Sequence, residues 1–291
     1  MEEKMTIKEF KKSEFKSKYF TLYELADGIF AAQINTDFYT GGNAGFFDLG
    51  GCIIIWDTGL YADVGYDLYR AVKEICGKEP NLLILSHHHI DHLFGIYKIP
   101  THIPILTGPG VVKQIKKFTL PRINEFAENP EQKIKELEEK LKDETDPVQK
   151  VDKETDIKFY KDLIEQDLKF RLPTITFTGK MEFQGTKTKM ILKNVGRRHT
   201  EEDILAIFPN EKICFMGDLF FSNVDEIPLE TAVQFFTTDL EQHTVLLESL
   251  YESDIEIFHS GHGPIADREM IKKNYEFIQN KLKGKNLGVP H

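Results

Sequence analysis

Residues 85–95, LSHHHIDHLFG, place four histidines and an aspartate in six consecutive positions of a 291-residue chain that has ten histidines in all. Imidazole nitrogens and a carboxylate are metal ligands, and together they suit zinc, with iron or manganese also accommodated. The tract follows the apolar run Leu82, Leu83, Ile84, Leu85. That run reads as a buried strand, so the ligands leave a rigid support. In the pattern H-x-H-x-D-H, alternate residues on a turn leaving a strand can point the same way. His87 and His89 can then reach one metal, while Asp91 and His92, beyond the bend, reach a second point nearby. The same alternation turns His88 away, to a structural or exposed position.

One loop cannot close a catalytic site alone. Three further candidates stand at or near strand ends, where loops present catalytic groups. They are His199 in GRRHTEED before DILAIFP, Asp218 at the end of KICFMGD, and His262 in SGHGP after IEIF. His259 is expected to serve its strand or support the site rather than bind. His102, His243 and His291 have no motif context and are assigned nothing. A structural zinc site is usually closed, four-coordinate and rich in cysteine. Here Cys52, Cys76 and Cys214 are far apart, lack CxxC spacing, and read as free thiols. No G-x-S-x-G elbow is present, so metal-activated water is the nucleophile the chain offers.

The elements that must hold these groups alternate in kind. Residues 19–60 read as four short strands, FTLYEL, GIFAAQI, AGFFDL and CIIIWDTG, separated by Asp-Gly and Gly-Gly turns. Residues 62–76 carry Val64, Leu68, Val72 and Ile75 at the spacing of one helix face. The strands LLILS and IPILTG follow. Residues 174–217 return to strands, then come a helix (DLEQHTVLLESLYE), the strand IEIF and a final helix to about residue 284. Mixed strands and helices in both halves indicate α/β layering. Between the halves, about residues 121–171 form a charged helical insertion. Its first helix carries Ile134, Leu137 and Leu141, and its second Ile157, Tyr160, Ile164 and Leu168. A hairpin packed by one narrow stripe, an active-site lid and a homodimer contact are all compatible with that pattern.

The formal net charge of −10 and pI of about 5.5 argue against a nucleic-acid partner, whose binding rests on clustered Lys and Arg. The charged, amphipathic first 20 residues have no apolar stretch of a secretion signal. No apolar run approaches the ~18 residues that span a bilayer. The expectation is a cytoplasmic protein with no membrane association.

The motifs in order resemble the metallo-β-lactamase superfamily: DTG at 57–59, SHHHIDH at 86–92, GRRHT at 196–200, GD at 217–218 and GHG at 261–263. The resemblance implies a single four-layered αββα domain over residues 1–291, with the insertion at 121–171 and two divalent metals at the edge of two sheets. It gives His87, His89 and His199 to the first metal and Asp91, His92 and His262 to the second. Asp218 bridges both, with a hydroxide between the metals. Asp57 resembles the buried carboxylate that positions the histidine loop. The activity implied is hydrolysis of a small ester, lactone or thioester, with Asp91 as the catalytic group that orients the hydroxide and carries its proton. A persulfide dioxygenase-like enzyme with one iron is the alternative. Where many relatives carry small residues before the third histidine, this chain has Arg197 and Arg198. They are candidates for binding an anionic small-molecule substrate, or for ion pairs with the insertion.

Overall fold

The computed structural model describes residues 10–35, 41–165, 170–220 and 239–286. Two sheets carry the fold. The first runs in the order β1 (Lys11–Lys12), β2 (Phe20–Ala26), β3 (Ile29–Ile34), β4 (Ala44–Asp48), β5 (Ile53–Trp56), β6 (Leu82–Ile84), β7 (Ile105–Thr107), β8 (Ile175–Thr176). The second places β9 (Lys180–Gln184), β10 (Lys189–Gly196), β11 (Asp203–Phe208), β12 (Ile213–Gly217), β13 (Ile257–Ser260) and β14 (Ala266–Asp267) side by side. Pairing is antiparallel from β1 to β5, then parallel from β5 to β8. Among the described strands of the second sheet, only β12 and β13 run parallel.

Strand alternation builds the layers. Ile54 and Phe47 turn inward and join Phe208 and Phe215 of the second sheet in a core between the sheets. Phe47 meets Phe208 and Phe215 edge-on, at ring-centroid distances of 4.8 and 4.7 Å. Their neighbours Ile53, Ile55 and Phe46 face outward and pack under Val64, Leu68 and Val72 of α1 (Ala62–Cys76). With both faces covered, β5 reads as the unbroken apolar run IIIW. On the far side, Cys214, Met216 and Phe258 pack under Leu247 and Leu250 of a helix at Leu240–Tyr251 and Ile271 and Ile278 of one at Arg268–Asn286. The result is the expected helix, sheet, sheet, helix stacking. Ile75, placed by its spacing on the buried face of α1, is instead 37 % exposed at the helix end.

Helices flank β7 on both sides. A short helix α2 (Ile90–Leu93) continues the histidine tract, α3 (Pro109–Gln114) passes through a π-helical turn at Ile115–Thr119, and α4 (Leu120–Phe126) follows. The helical segment therefore starts before residue 121. Next come α5 (Pro130–Lys142) and α6 (Pro147–Glu165), which pack on each other. Ile134, Leu137 and Leu141 are half-buried on α5, as their spacing suggests, together with Pro130 at its start. The stripe of α6 differs. Ile157 is buried, but Phe159, Asp162 and Leu163 are the buried partners beside it, Tyr160 is half-buried, and Ile164 is 45 % exposed. Leu168 lies outside the described residues, as do residues 1–9 and His291. The reason for the shift is α1. Tyr61 provides no side-chain cap, and Asp162 Oδ2 accepts the Ala62 N–H at 3.0 Å instead. A carboxylate at a helix N-terminus complements its exposed N–H groups. Among the described residues no helix is long and apolar enough to cross a membrane.

Candidate metal centre

The parallel strands converge on one edge, and their carboxyl ends deliver the motif residues. Asp57 follows β5, the histidine tract follows β6, Asp218 follows β12 and His262 follows β13. His199 lies in the β10–β11 connection. The side chains gather in two groups, His87, His89, His199 and Asp218 in one, and Asp91, His92 and His262 in the other. His89 Nδ1 lies 3.1 Å from both His87 Nε2 and His199 Nε2. Asp218 Oδ2 stands 3.5 Å from each of those Nε2 atoms. In the second group His262 Nε2 is 3.2 Å from Asp91 Oδ2, and His92 Nε2 is 3.5 Å from it. Asp218 reaches this group too, with Oδ1 3.1 Å from His92 Nε2 and Oδ2 3.3 Å from His262 Nε2.

These spacings fit divalent metals. Tetrahedral ligands 2.0–2.1 Å from zinc stand about 3.3 Å apart. Two buried atoms that face each other, His92 Nε2 and Asp218 Oδ1, have no hydrogen-bond partner. Buried polar groups seldom go unpaired, so an ion between them is the natural completion. Backbone close approach makes room: a Cβ on Gly261 would stand 1.9 Å from Asp218 Oδ1, and one on Gly42 2.1 Å from the His92 ring.

The electrostatics divide the site. Burial opposes charge on His92, but Asp218 and Asp91 outweigh it and hold the imidazolium well above its usual range. The same carboxylates overcome burial at His262 and raise it to about 10. Burial and neighbouring positive charge push His87 well below the usual value, and burial with His199 takes His89 down to about 4. Burial would raise Asp218, but His92, His262 and His87 hold it well below the carboxylate range.

Around the ligands is a frame. Asp57 is fully buried and accepts from the Ser86 N–H and hydroxyl, with His92 Nδ1 at 3.2 Å. Ser86 Oγ lies 2.9 Å from His87 Nδ1. The sequence motifs did not single out two other members. Asp203 accepts the N–H groups of His199 and Thr200, each at 2.9 Å, and the Thr200 hydroxyl at 2.8 Å. Burial, opposed by these donors, raises it to about 6. Asn43 donates to the carbonyls of Ser260 and Gly263, at 2.9 and 2.8 Å, and so fixes the His262 loop.

The remaining histidines fall elsewhere. His259 is buried in β13, its Nε2 3.1 Å from the Ala44 carbonyl. His243 packs in the helix at Leu240–Tyr251, and His102 sits on the surface beside Glu79. His88 is 8 % exposed, buried rather than open. Its strand ends at Ile84, so the loop bend, not strand alternation, separates it from its neighbours. Arg197 pairs with Glu201 at 3.1 Å, and Arg198 donates to Gln242 at 3.0 Å.

The profile of the metallo-beta-lactamase superfamily matches residues 39–262, most of the chain. The chain belongs to that superfamily. Among solved structures it is similar to a metallo-beta-lactamase from Pontibacter korlensis, at 13 % identity and a TM-score of 0.59 over 94 % of this chain and 100 % of that one. It is also similar to the metallo-beta-lactamase FIM-1 from Pseudomonas aeruginosa in its mono-zinc form, at 12 % identity and a TM-score of 0.63 over 90 % and 96 %. At such identities these likenesses establish the metallo-β-lactamase fold alone. No curated protein matches the sequence.

Proposed function

We propose that the chain is a metal-dependent hydrolase of a small ester, lactone or thioester. His87, His89 and His199 hold one divalent metal, Asp91, His92 and His262 hold a second, and Asp218 serves both. The position of Asp218 carries the reading: its two carboxylate oxygens lie between the two histidine groups, within 3.5 Å of four imidazole nitrogens. Zinc suits the donor set, with iron or manganese also accommodated. Bound divalent metals supply Lewis-acid polarisation of a substrate oxygen and bring the deprotonation of water near neutral pH.

The protein supplies the rest. His87, His92, His199 and Asp218 are nearly closed to solvent, whereas Asp91 and His262 are 29 % and 27 % exposed. Substrate and water therefore arrive on the Asp91–His262 side. In the metal-free protein charged His92 and His262 hold Asp91 ionised against the cost of burial. With those rings neutral on a metal, the cation would take over that role, and the Asp91 carboxylate would orient the attacking water and receive its proton. The test is metal content of freshly purified protein followed by an ester, lactone and thioester panel. About two metals per chain with turnover supports the reading. A single iron with oxygen uptake would replace it by the redox alternative.

A further inference from the structure

A cavity of about 300 Å³ opens beside the exposed edge of this centre. One wall is formed by His89 and Asp91, one residue from each ligand group. Whatever fills the cavity therefore lies against both ligand groups. A second wall is supplied by Phe118, Arg122 and Phe126, and His88 also lines the cavity. The volume is about twice the ~150 Å³ of a cavity that accepts benzene.

The second wall is built deliberately by the chain. The π-helical turn at Ile115–Thr119 widens the helix where Phe118 emerges, and such turns recur at functional sites. Thr119 donates its hydroxyl to the His88 carbonyl at 2.6 Å, which ties this wall to the ligand loop. Phe118 is 46 % exposed despite its size. Neither it nor Phe126 is fully covered by the fold.

The segment that supplies this wall is basic, although among its cations only Arg122 lines the cavity itself. Although the net charge is −10, residues 109–124, PGVVKQIKKFTLPRIN, contain Lys113, Lys116, Lys117 and Arg122 and no carboxylate. Lys117 Nζ lies 4.6 Å from the Phe118 ring centre, and the Arg122 guanidinium 4.6 Å from that of Phe126. The Arg122–Glu125 pair, at 3.3 Å, joins side chains that are 57 % and 66 % exposed, so it competes weakly with a ligand.

We propose that this cavity binds the acyl arm of an anionic substrate, an aromatic or branched apolar body against Phe118 and Phe126 ending in a carboxylate held by Arg122. The proposal rests on the hydrolytic reading and narrows its substrate class. A thioester of this kind is cleaved without redox change: water adds to the carbonyl, the C–S bond breaks, and the acid and the thiol leave with its two hydrogens.

The test uses metal-loaded full-length protein and the N-acetylcysteamine thioesters of acetate, phenylacetate and 4-carboxyphenylacetate. The expected order of kcat/KM is acetate, phenylacetate, then 4-carboxyphenylacetate, rising by about tenfold or more at the aryl step. Arg122→Gln should lower the ratio of carboxylated to plain aryl substrate about tenfold, chiefly through KM, and Arg122→Lys should restore part of it. Phe118→Ala should lower the ratio of either aryl substrate to acetate. Equal kcat/KM for the three thioesters, or ratios unmoved by Arg122→Gln, would overturn the proposal. If none of the three is cleaved, the thioester claim is overturned, and the hydrolytic reading fails with it only if the esters and lactones of the panel are also untouched. Calorimetric binding of the free 4-carboxyphenylacetic acid then decides the cavity separately: binding weakened about tenfold by Arg122→Gln upholds it, and no binding overturns it.

Discussion

Asp57 accepts both the backbone N–H of Ser86, at 2.8 Å, and its hydroxyl, at 2.7 Å. The residue that follows β5 thereby sets the residue before the histidine tract, and it does so with φ of 53°, a left-handed backbone that side chains rarely adopt. Replacing it by alanine leaves two buried donors without an acceptor. The expected cost is about 3 kcal/mol in denaturant unfolding of the metal-free protein. Metal affinity should fall about 10- to 100-fold, because Ser86 and His92 lose their orientation. Unchanged affinity in a folded Asp57→Ala variant would show that the frame does not act on the ligands.

Metal loading should release protons. In the metal-free protein His92 and His262 are held charged by Asp218 and Asp91, His262 up to about 10. A raised histidine contributes stability that is fully present below its ordinary value of 6.5 and is lost as pH rises toward its folded value. A bound metal requires the neutral ring, so affinity should rise with pH across that same window, and metal should be lost below about pH 6. Titration calorimetry in buffers of different ionisation enthalpy measures the release directly. An enthalpy independent of buffer would contradict the assignment.

Much of the site was legible because apolar runs mark strand ends, and Asp57, His87, Asp218 and His262 each stand just past one. The layered fold followed from the same runs. Asn43 and Asp203 were not legible. Asn43 donates to Ser260, 217 positions away, and nothing local in GGNAG announces that contact. Asp203 reads as the polar start of a strand. The α6 stripe misled for a related reason: Asp162 looks solvated in sequence, yet it is buried because the α1 N-terminus needs an acceptor.

Asp203→Ala tests the less visible half of the frame. It removes the acceptor of hydrogen bonds from Arg198, His199 and Thr200 without removing a proposed ligand. Metal affinity should drop about 10- to 100-fold, while His259→Gln, whose ring turns to the Ala44 carbonyl and touches no ligand side chain, should leave it within about twofold. Equal affinities in the two variants would remove Asp203 from the account.

The insertion should prove part of the core. Phe159 packs against Phe94 with the rings tilted, at a centroid distance of 4.9 Å, and Leu163 is 2 % exposed. Phe159→Ala should cost about 3–5 kcal/mol and Leu163→Ala about 2–5 kcal/mol in denaturant unfolding. Replacing 121–171 by a short Gly-Ser linker should therefore yield an unfolded product. A folded, metal-loaded deletion variant would show that α6 is dispensable.

The central claim is that Asp218 joins two metal positions, and metal analysis of wild type beside Asp218→Ala tests it most directly. Wild-type protein, purified without chelators, should carry about two divalent metals per chain. Asp218→Ala should lose occupancy at both positions and several orders of magnitude of turnover. A variant that kept both metals, or a wild type holding a single iron and consuming oxygen, would contradict it.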